Sequence, residues 1–131
     1  MPIEITHWIQ SADFSSTELG VADRTTVTRL LGEHPWQSEL QKQSQLEATG
    51  DECCPPGLGV VAGEGRILHL CPEGDGTWMV HHHNRLPSRL LGFIPYTRSI
   101  SETFSAVSTA HAEILIGQFF ETGAVDLSVI Q

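Results

Sequence analysis

The sequence predicts a single α+β domain, residues 1–131, in which helices cover one face of an antiparallel β-meander. The helices are a long C-terminal one and one or two N-terminal ones. Residues 58–83 contain three short runs of alternating apolar character separated by glycine- and acid-rich turns, which is typical of a meander. Residues 99–122 carry apolar residues at intervals of three or four, which is typical of an amphipathic helix. At 131 residues the chain is long enough to bury one hydrophobic core.

The N-terminal part predicts one strand and one or two helices. Alternating apolar residues predict a strand at residues 3–10, and a polar stretch follows at residues 11–17. Asp23 is a suitable cap for a helix at about residues 23–31. We expect Val27, Leu30 and Leu31 of this helix to face the core. Gly32 is suited to its C-terminal end. A second helix at residues 36–48 has few apolar positions, so the number of N-terminal helices stays open.

The register of the meander assigns its side chains to two faces. We expect the first turn to pair Val61 with Ile67 and the second turn to pair Leu70 with Trp78. Because side chains alternate along a strand, one face is then apolar and forms the core. That core face carries Leu58, Val60, Leu68, Leu70, Trp78 and Val80. The opposite face carries Val61, Ile67, His69, Cys71, Met79, His81 and His83.

After the meander we expect a polar turn, a fourth strand and the long helix. Residues 84–88 are polar, and residues 90–95 suggest a strand ended by its proline. Ser99 and Glu102 form a capping-box pattern at the start of the helix, and Gly123 is suited to its end. The helix's apolar positions are Ile100, Phe104, Val107, His111, Ile114, Leu115 and Phe119. A last short strand is predicted from the alternation of Val125, Leu127 and Val129.

Composition limits the classes of partner and the location. The formal net charge of −9 disfavours nucleic-acid binding and favours a basic protein partner. No apolar run approaches the roughly 20 residues that span a membrane, and the first residues lack the features of a secretory signal. Three cysteines are an odd number, which reduced thiols explain most simply. We therefore expect a cytoplasmic protein with no membrane partner.

The residues that could carry chemistry are histidines and cysteines on the non-core face. Their projection from neighbouring strands would allow a zinc site made of His69, Cys71, His81 and His83, with Cys53 or Cys54 as a further thiolate. Close paired spacings such as C-x-x-C are absent, and acidic neighbours raise the thiol pKa of the adjacent cysteines, which disfavours a thiol nucleophile. We predict no catalytic residue, no metal and no cofactor, although metal binding by the histidine face stays open.

The three tryptophans are expected mainly in the core. They are Trp8, Trp36 and Trp78. An exposed tryptophan would instead suggest an interface anchor.

The C-terminal half contains a further set of short motifs. They are Leu58-Gly59-Val60, Gly65-Arg66-Ile67-Leu68, Gly76-Thr77-Trp78, Gln118-Phe119-Phe120-Glu121-Thr122-Gly123 and the tail from Val125 to Gln131. In their order these motifs resemble the deaminase-toxin immunity family of bacterial polymorphic toxin systems. The resemblance implies a protein without catalytic residues that binds one toxin domain tightly in the cytoplasm and blocks its active site.

We therefore expect an immunity or inhibitor protein whose partner is a cognate toxin with a basic active-site cleft. The expected contact residues are Glu64, His69, Glu73, Asp75, His81 and His83. Two other classes stay open: a homodimeric binding module similar to secretion chaperones, and a small metal or thiol enzyme that uses the histidine face. The sequence leaves the oligomeric state and the identity of the toxin open.

Overall fold

The computed structural model describes residues 4–63 and 65–125, without the side chains of residues 86–90 and 96–98. Within these residues the strands are β1 (Ile5–Gln10), β2 (Ser16–Val21), β3 (Gly57–Ala62), β4 (Arg66–Pro72), β5 (Thr77–Leu90) and β6 (Ile94–Ser108). The helices are α1 (Arg24–Glu33), α2 (Trp36–Ala48) and α3 (Thr109–Thr122). All strand pairs are antiparallel, in the order β2-β1-β3-β4-β5-β6. The predicted α+β fold is therefore confirmed.

The hydrophobic core lies between one face of the sheet and the helices. The sheet contributes the six residues predicted for the core face, all of them buried. Val27 and Leu31 from α1 and Leu115 and Phe119 from α3 belong to the same buried cluster. We call the opposite sheet surface, which points away from this cluster, the outer face. The expected division of the meander into a buried apolar face and a histidine-bearing face is confirmed.

The register of the meander is partly as predicted. Strands β3 and β4 pair as expected, with Val61 opposite Ile67. Between β4 and β5, Leu70 lies opposite Val80 instead of Trp78. The reason is the position of the turn, which is centred on Asp75, with the Glu73 amide donating to the Thr77 carbonyl oxygen at 3.0 Å. Because the offset is two residues, every side chain keeps its predicted face.

The N-terminal half contains one strand more than predicted. The stretch expected to be a polar linker leads into β2, an edge strand in which every residue is exposed and which therefore shows no alternation. The Asp23 side chain caps α1 by accepting from the Thr26 amide at 2.7 Å. The helix continues through Gly32, however, and its C-cap is His34, whose amide donates to the Leu30 carbonyl oxygen at 3.1 Å. Helix α2 has the predicted bounds, and its buried residue is Trp36.

The largest difference from prediction is the length of the last two strands. The expected polar turn at residues 84–88 and the fourth strand at residues 90–95 are wrong, because β5 continues to Leu90 and β6 returns from Ile94. Strand β4 pairs with β5 only as far as His83. Residues 84–100 therefore form a two-stranded projection beyond the sheet, which we call the arm.

The C-terminal helix starts later than predicted. The capping-box pattern at residues 99–102 lies within β6, and α3 begins after Ser108, whose hydroxyl accepts from the His111 amide at 3.1 Å. His111 and Ile114 are exposed, contrary to expectation. The buried stripe is Ala112, Leu115, Ile116 and Phe119. Gly123 ends the helix with a φ of +74°, as predicted.

Two further expectations concern the chain ends and membranes. Val125 packs against the core, but the rest of the predicted last strand lies outside the described residues. None of the helices in the described part of the chain combines the length and the apolar character needed to cross a bilayer.

Candidate binding surface

The outer face brings the three predicted histidines together on neighbouring strands. His69 of β4 lies directly opposite His81 of β5, and Ile67 lies opposite His83. The two-residue change in register makes His69 and His81 cross-strand neighbours, where a diagonal arrangement was expected. Their Cβ atoms are consequently within the roughly 4.5–5.5 Å typical of opposed residues in an antiparallel pair.

Glycines in β3 allow an aromatic stack across the outer face. A Cβ atom at Gly59 would lie 2.1 Å from the Trp8 ring, and one at Gly57 would lie 2.7 Å from Nε2 of His69. In the absence of these Cβ atoms, the Trp8 and His69 rings stack with their centroids 5.9 Å apart and an interplanar angle of 18°. Trp8 is thus a half-buried residue of the outer face, whereas Trp36 and Trp78 lie in the core as expected.

Hydroxyl groups on β6 fix the orientation of the other two histidines. Nδ1 of His81 and Oγ1 of Thr103 share a hydrogen bond of 2.9 Å, and Nδ1 of His83 and Oγ of Ser101 share one of 2.7 Å. These hydroxyls are cross-strand partners of the histidines. In the described residues, none of the three outer-face histidines hydrogen-bonds to a carboxylate, the usual orienting group of a catalytic histidine.

Burial keeps the side chains of His69 and Cys71 on the outer face uncharged. Burial lowers the pKa of His69, and the neighbouring His81 lowers it further. Burial also raises the pKa of Cys71 to about 11, with a smaller contribution from Cys54. The Cys71 sulfur lies 3.8 Å from each ring nitrogen of His69, yet both groups are neutral near pH 7. A protonated thiol is a poor nucleophile and a poor metal ligand.

The thiol of Cys53 and the spacing of possible metal ligands also bear on the chemistry of this part of the chain. Burial raises the pKa of Cys53, and the Glu47 carboxylate adds to the rise. Across the described residues, no three side chains of His, Cys, Asp or Glu come close enough together to hold a metal ion.

Two loops rise beside the histidines and enclose a hollow of about 400 Å³. The amide of Cys54 donates to the Ala12 carbonyl oxygen at 2.9 Å, which ties the loop after α2 to the β1–β2 turn. Phe14, at the tip of that turn, is 57% exposed and has a φ of +69°. The hollow is lined by Gln10, Phe14, Cys54, Pro55, His69, Cys71, Met79, His81 and Thr103. Its walls are therefore mainly apolar, with imidazole and hydroxyl groups between them.

Two of the predicted acidic contact residues, Glu73 and Asp75, do not share this surface. Glu73 Oε1 accepts from the Ala106 amide at 2.7 Å and from the Thr77 hydroxyl at 3.0 Å. Asp75 accepts from the Thr77 amide at 3.1 Å. This turn packs near α2, and Glu73 lines a groove with α2 residues. Both carboxylates hold the turn, so the single predicted surface divides in two.

Glu64 lies outside the described residues. Residues of the hollow that the sequence reasoning missed include Phe14, Pro55 and Thr103. Thr103 could have been placed on the outer face only if residues 99–108 had been assigned to a strand instead of a helix. Phe14 could not, because the position of a turn residue is not set by alternation.

A scan against protein-family models found no family that matches this chain, and searches of curated proteins and of solved structures found no match either.

Proposed function

We propose that this protein is a non-catalytic inhibitor of the immunity type, which binds a basic toxin domain through the outer face. The observation that carries the proposal is the hollow beside His69 and His81, which lies on the sheet face opposite the core. A concave, mainly apolar surface with a few oriented polar groups is typical of sites that receive an anchoring side chain.

The chemistry of the hollow suits a protein side chain. Phe14, Pro55 and Met79 offer apolar and aromatic contacts. The neutral imidazole of His69 and the His81–Thr103 pair offer hydrogen-bond acceptors to an arginine, a lysine or a tyrosine of the partner. An arginine can in addition stack on the exposed Phe14 ring.

The charge of the chain supports a basic partner. Residues 1–75 contain 12 acidic and four basic residues, a formal charge of −8. Such a field speeds the encounter with a positively charged protein and weakens as salt is added. The neutral, buried thiol of Cys71 favours binding over catalysis. So does the lack, within the part of the chain that the structure describes, of carboxylate partners on the outer-face histidines.

The proposal predicts that a toxin domain is encoded beside this gene, and that domain is the partner for the test. Co-expression should restore growth, and the purified proteins should form a 1:1 complex. Met79→Arg and Phe14→Arg place a positive charge in the hollow and should weaken the complex at least about tenfold, by steric and charge repulsion.

Gln41→Arg is the matched control, because it adds the same charge at an exposed position of α2 away from the hollow. It should bind like the wild type. Equal binding by all three variants, with native circular dichroism, would remove the outer face as the binding surface. Failure of the wild-type chain to protect against or bind the neighbouring toxin would overturn the immunity function itself.

A further inference from the structure

Among the strands that the structure describes, β6 is an edge of the sheet, and part of this edge has no strand partner. At one end Pro95 has no backbone N–H to donate. At the other end the strand bulges, with Ala106 at a φ of +58° and its amide bonded to Glu73 Oε1 at 2.7 Å. The bulge contains Ser105 and Ala106, so residues 96–104 lie between the two limits, and Ile100 is their midpoint. Such an unpaired segment is a ready template for another strand.

We propose that two copies of this chain associate by pairing their β6 edges antiparallel about a two-fold axis at Ile100. In that register Arg98 stands opposite Glu102 of the second copy, and the symmetry gives the same pair twice. Opposite charges at directly opposed positions stabilise an antiparallel pair. A shift by one residue separates these charges, so the charge pattern selects the same centre as the limits of the free segment.

The charge distribution of the whole chain favours a second copy as the occupant. The arm contains three arginines and no acidic residue, whereas the rest of the chain has 16 acidic and four basic residues. The arm thus has a formal charge of +3 and the remainder one of −12. The basic arm of one copy therefore attracts the acidic remainder of the other. A net charge of −9 opposes approach to nucleic acid or to an anionic membrane.

The same register would cover the exposed tip of the arm. Leu91, Phe93 and Ile94 are 78%, 68% and 42% exposed. With the axis at Ile100, Ile94 falls opposite Ala106 of the second copy. A hollow of about 390 Å³, bordered by residues that include Trp78 and Thr109, opens near that end of β6. The tip of each arm would therefore reach an open cavity of its neighbour.

Pairing also explains how a projecting two-stranded arm is stabilised. An isolated hairpin is only marginally stable in water. In the proposed dimer the β6 half of each arm lies beside residues 101–106 of the second copy, and each β6 strand gains a second neighbour. The association uses the sheet edge and not the outer face, so it does not depend on the proposed inhibitor function.

Charge reversal followed by sedimentation velocity over a concentration series tests the register. The wild type should form a reversible dimer. Arg98→Glu and Glu102→Arg should each raise the dissociation constant at least about tenfold, because like charges then face each other. The double variant should restore the wild-type value. Rescue requires contact between copies, since the two positions are about 13 Å apart on one strand.

Glu18→Arg on β2 is the control, because it lies on the opposite edge and changes net charge as much as Glu102→Arg does. It should leave the dimer intact. A strictly monomeric wild type overturns the proposal, and so does a dimer that the two single variants do not weaken or that Glu18→Arg weakens equally.

An independent measurement does not rely on charge. Ile100→Cys should give a covalent dimer on mild oxidation, because the axis brings the two copies of this residue together. Thr17→Cys on β2 and the wild-type chain are the controls for random and native-thiol coupling. Equal coupling in all three proteins, with a native thermal unfolding transition, would overturn the proposed axis.

Discussion

The arm and the covered part of the sheet are built from the same strands but have different support. Where β3, β4 and the first half of β5 lie together, α1 and α3 bury one face, and Leu68, Leu70 and Val80 are fully buried. Beyond His83 the chain continues as a ladder of two strands, and none of the other strands described in residues 4–63 and 65–125 lies alongside it. The comparison shows that strand pairing sets the length of β5, whereas packing against helices sets where the stability lies.

The largest effect should separate these two regions directly. Phe119→Ala removes a fully buried ring from α3 and should lower the free energy of unfolding by about 3–5 kcal/mol. Leu91→Ala, at the tip of the arm, should change it by no more than about 0.5 kcal/mol. Urea unfolding of both variants measures the difference. Similar losses would mean that the arm contributes to the core's cooperative unit.

A matched pair of glycines gives an intermediate effect. Gly59→Ala places a methyl group 2.1 Å from the Trp8 ring, which must move, and should cost about 1–3 kcal/mol. Gly92→Ala in the arm meets open space and has only the strain of its φ of +81°, about 1 kcal/mol. Chemical unfolding followed by tryptophan emission measures both. A wild-type emission spectrum for Gly59→Ala would contradict the close packing of Trp8.

The smallest effect is a dependence of the free energy of unfolding on pH, which arises from two histidines in the covered region. Burial lowers the pKa values of His69 and His82, although Glu102 partly opposes this for His82. The unfolded chain therefore binds more protons than the folded chain as the pH falls below about 6.5. The stability contributed by the neutral imidazoles is fully present above that pH and is lost as the pH falls toward the lowered pKa values.

Urea unfolding between about pH 7.5 and pH 5 measures this loss. His82→Leu should flatten the slope, whereas His111→Leu, on the exposed side of α3, should not. The arm contains no histidine or acidic residue, so loss of amide protection on acidification should begin outside it. A gain in stability at lower pH would contradict the direction of both pKa shifts.

The start of α3 shows why the sequence misled at one place. Ile100, Phe104 and Val107 are spaced by four and three residues, which is also the spacing of a helical stripe. In β6 the spacing of four keeps Ile100 and Phe104 on one face. The bulge between Phe104 and Val107 adds a residue that returns Val107 to that face. A strand with a bulge therefore imitates helical periodicity, and the paired strand β5 decides between the two.

The candidate binding surface was predictable only where alternation applies. His81 and His83 share a face because residues two apart on a strand must do so, and His69 of β4 joins them in any register that differs from the observed one by an even number of residues. Glu73 and Asp75 belong to a turn, where no period fixes the direction of a side chain, and their carboxylates bond to that turn. Strand β2 escaped detection because an edge strand exposed along its whole length has no apolar period.

The stack of Trp8 on His69 places a fluorescent side chain on the outer face. Of the chain's three tryptophans, Trp36 and Trp78 are sealed in the interior, edge to face with each other at a centroid distance of 5.6 Å. Only the indole of Trp8 therefore borders solvent on the histidine side. A ligand that settles there would displace water from a single chromophore, so occupancy could be followed by fluorescence in the unlabelled native protein.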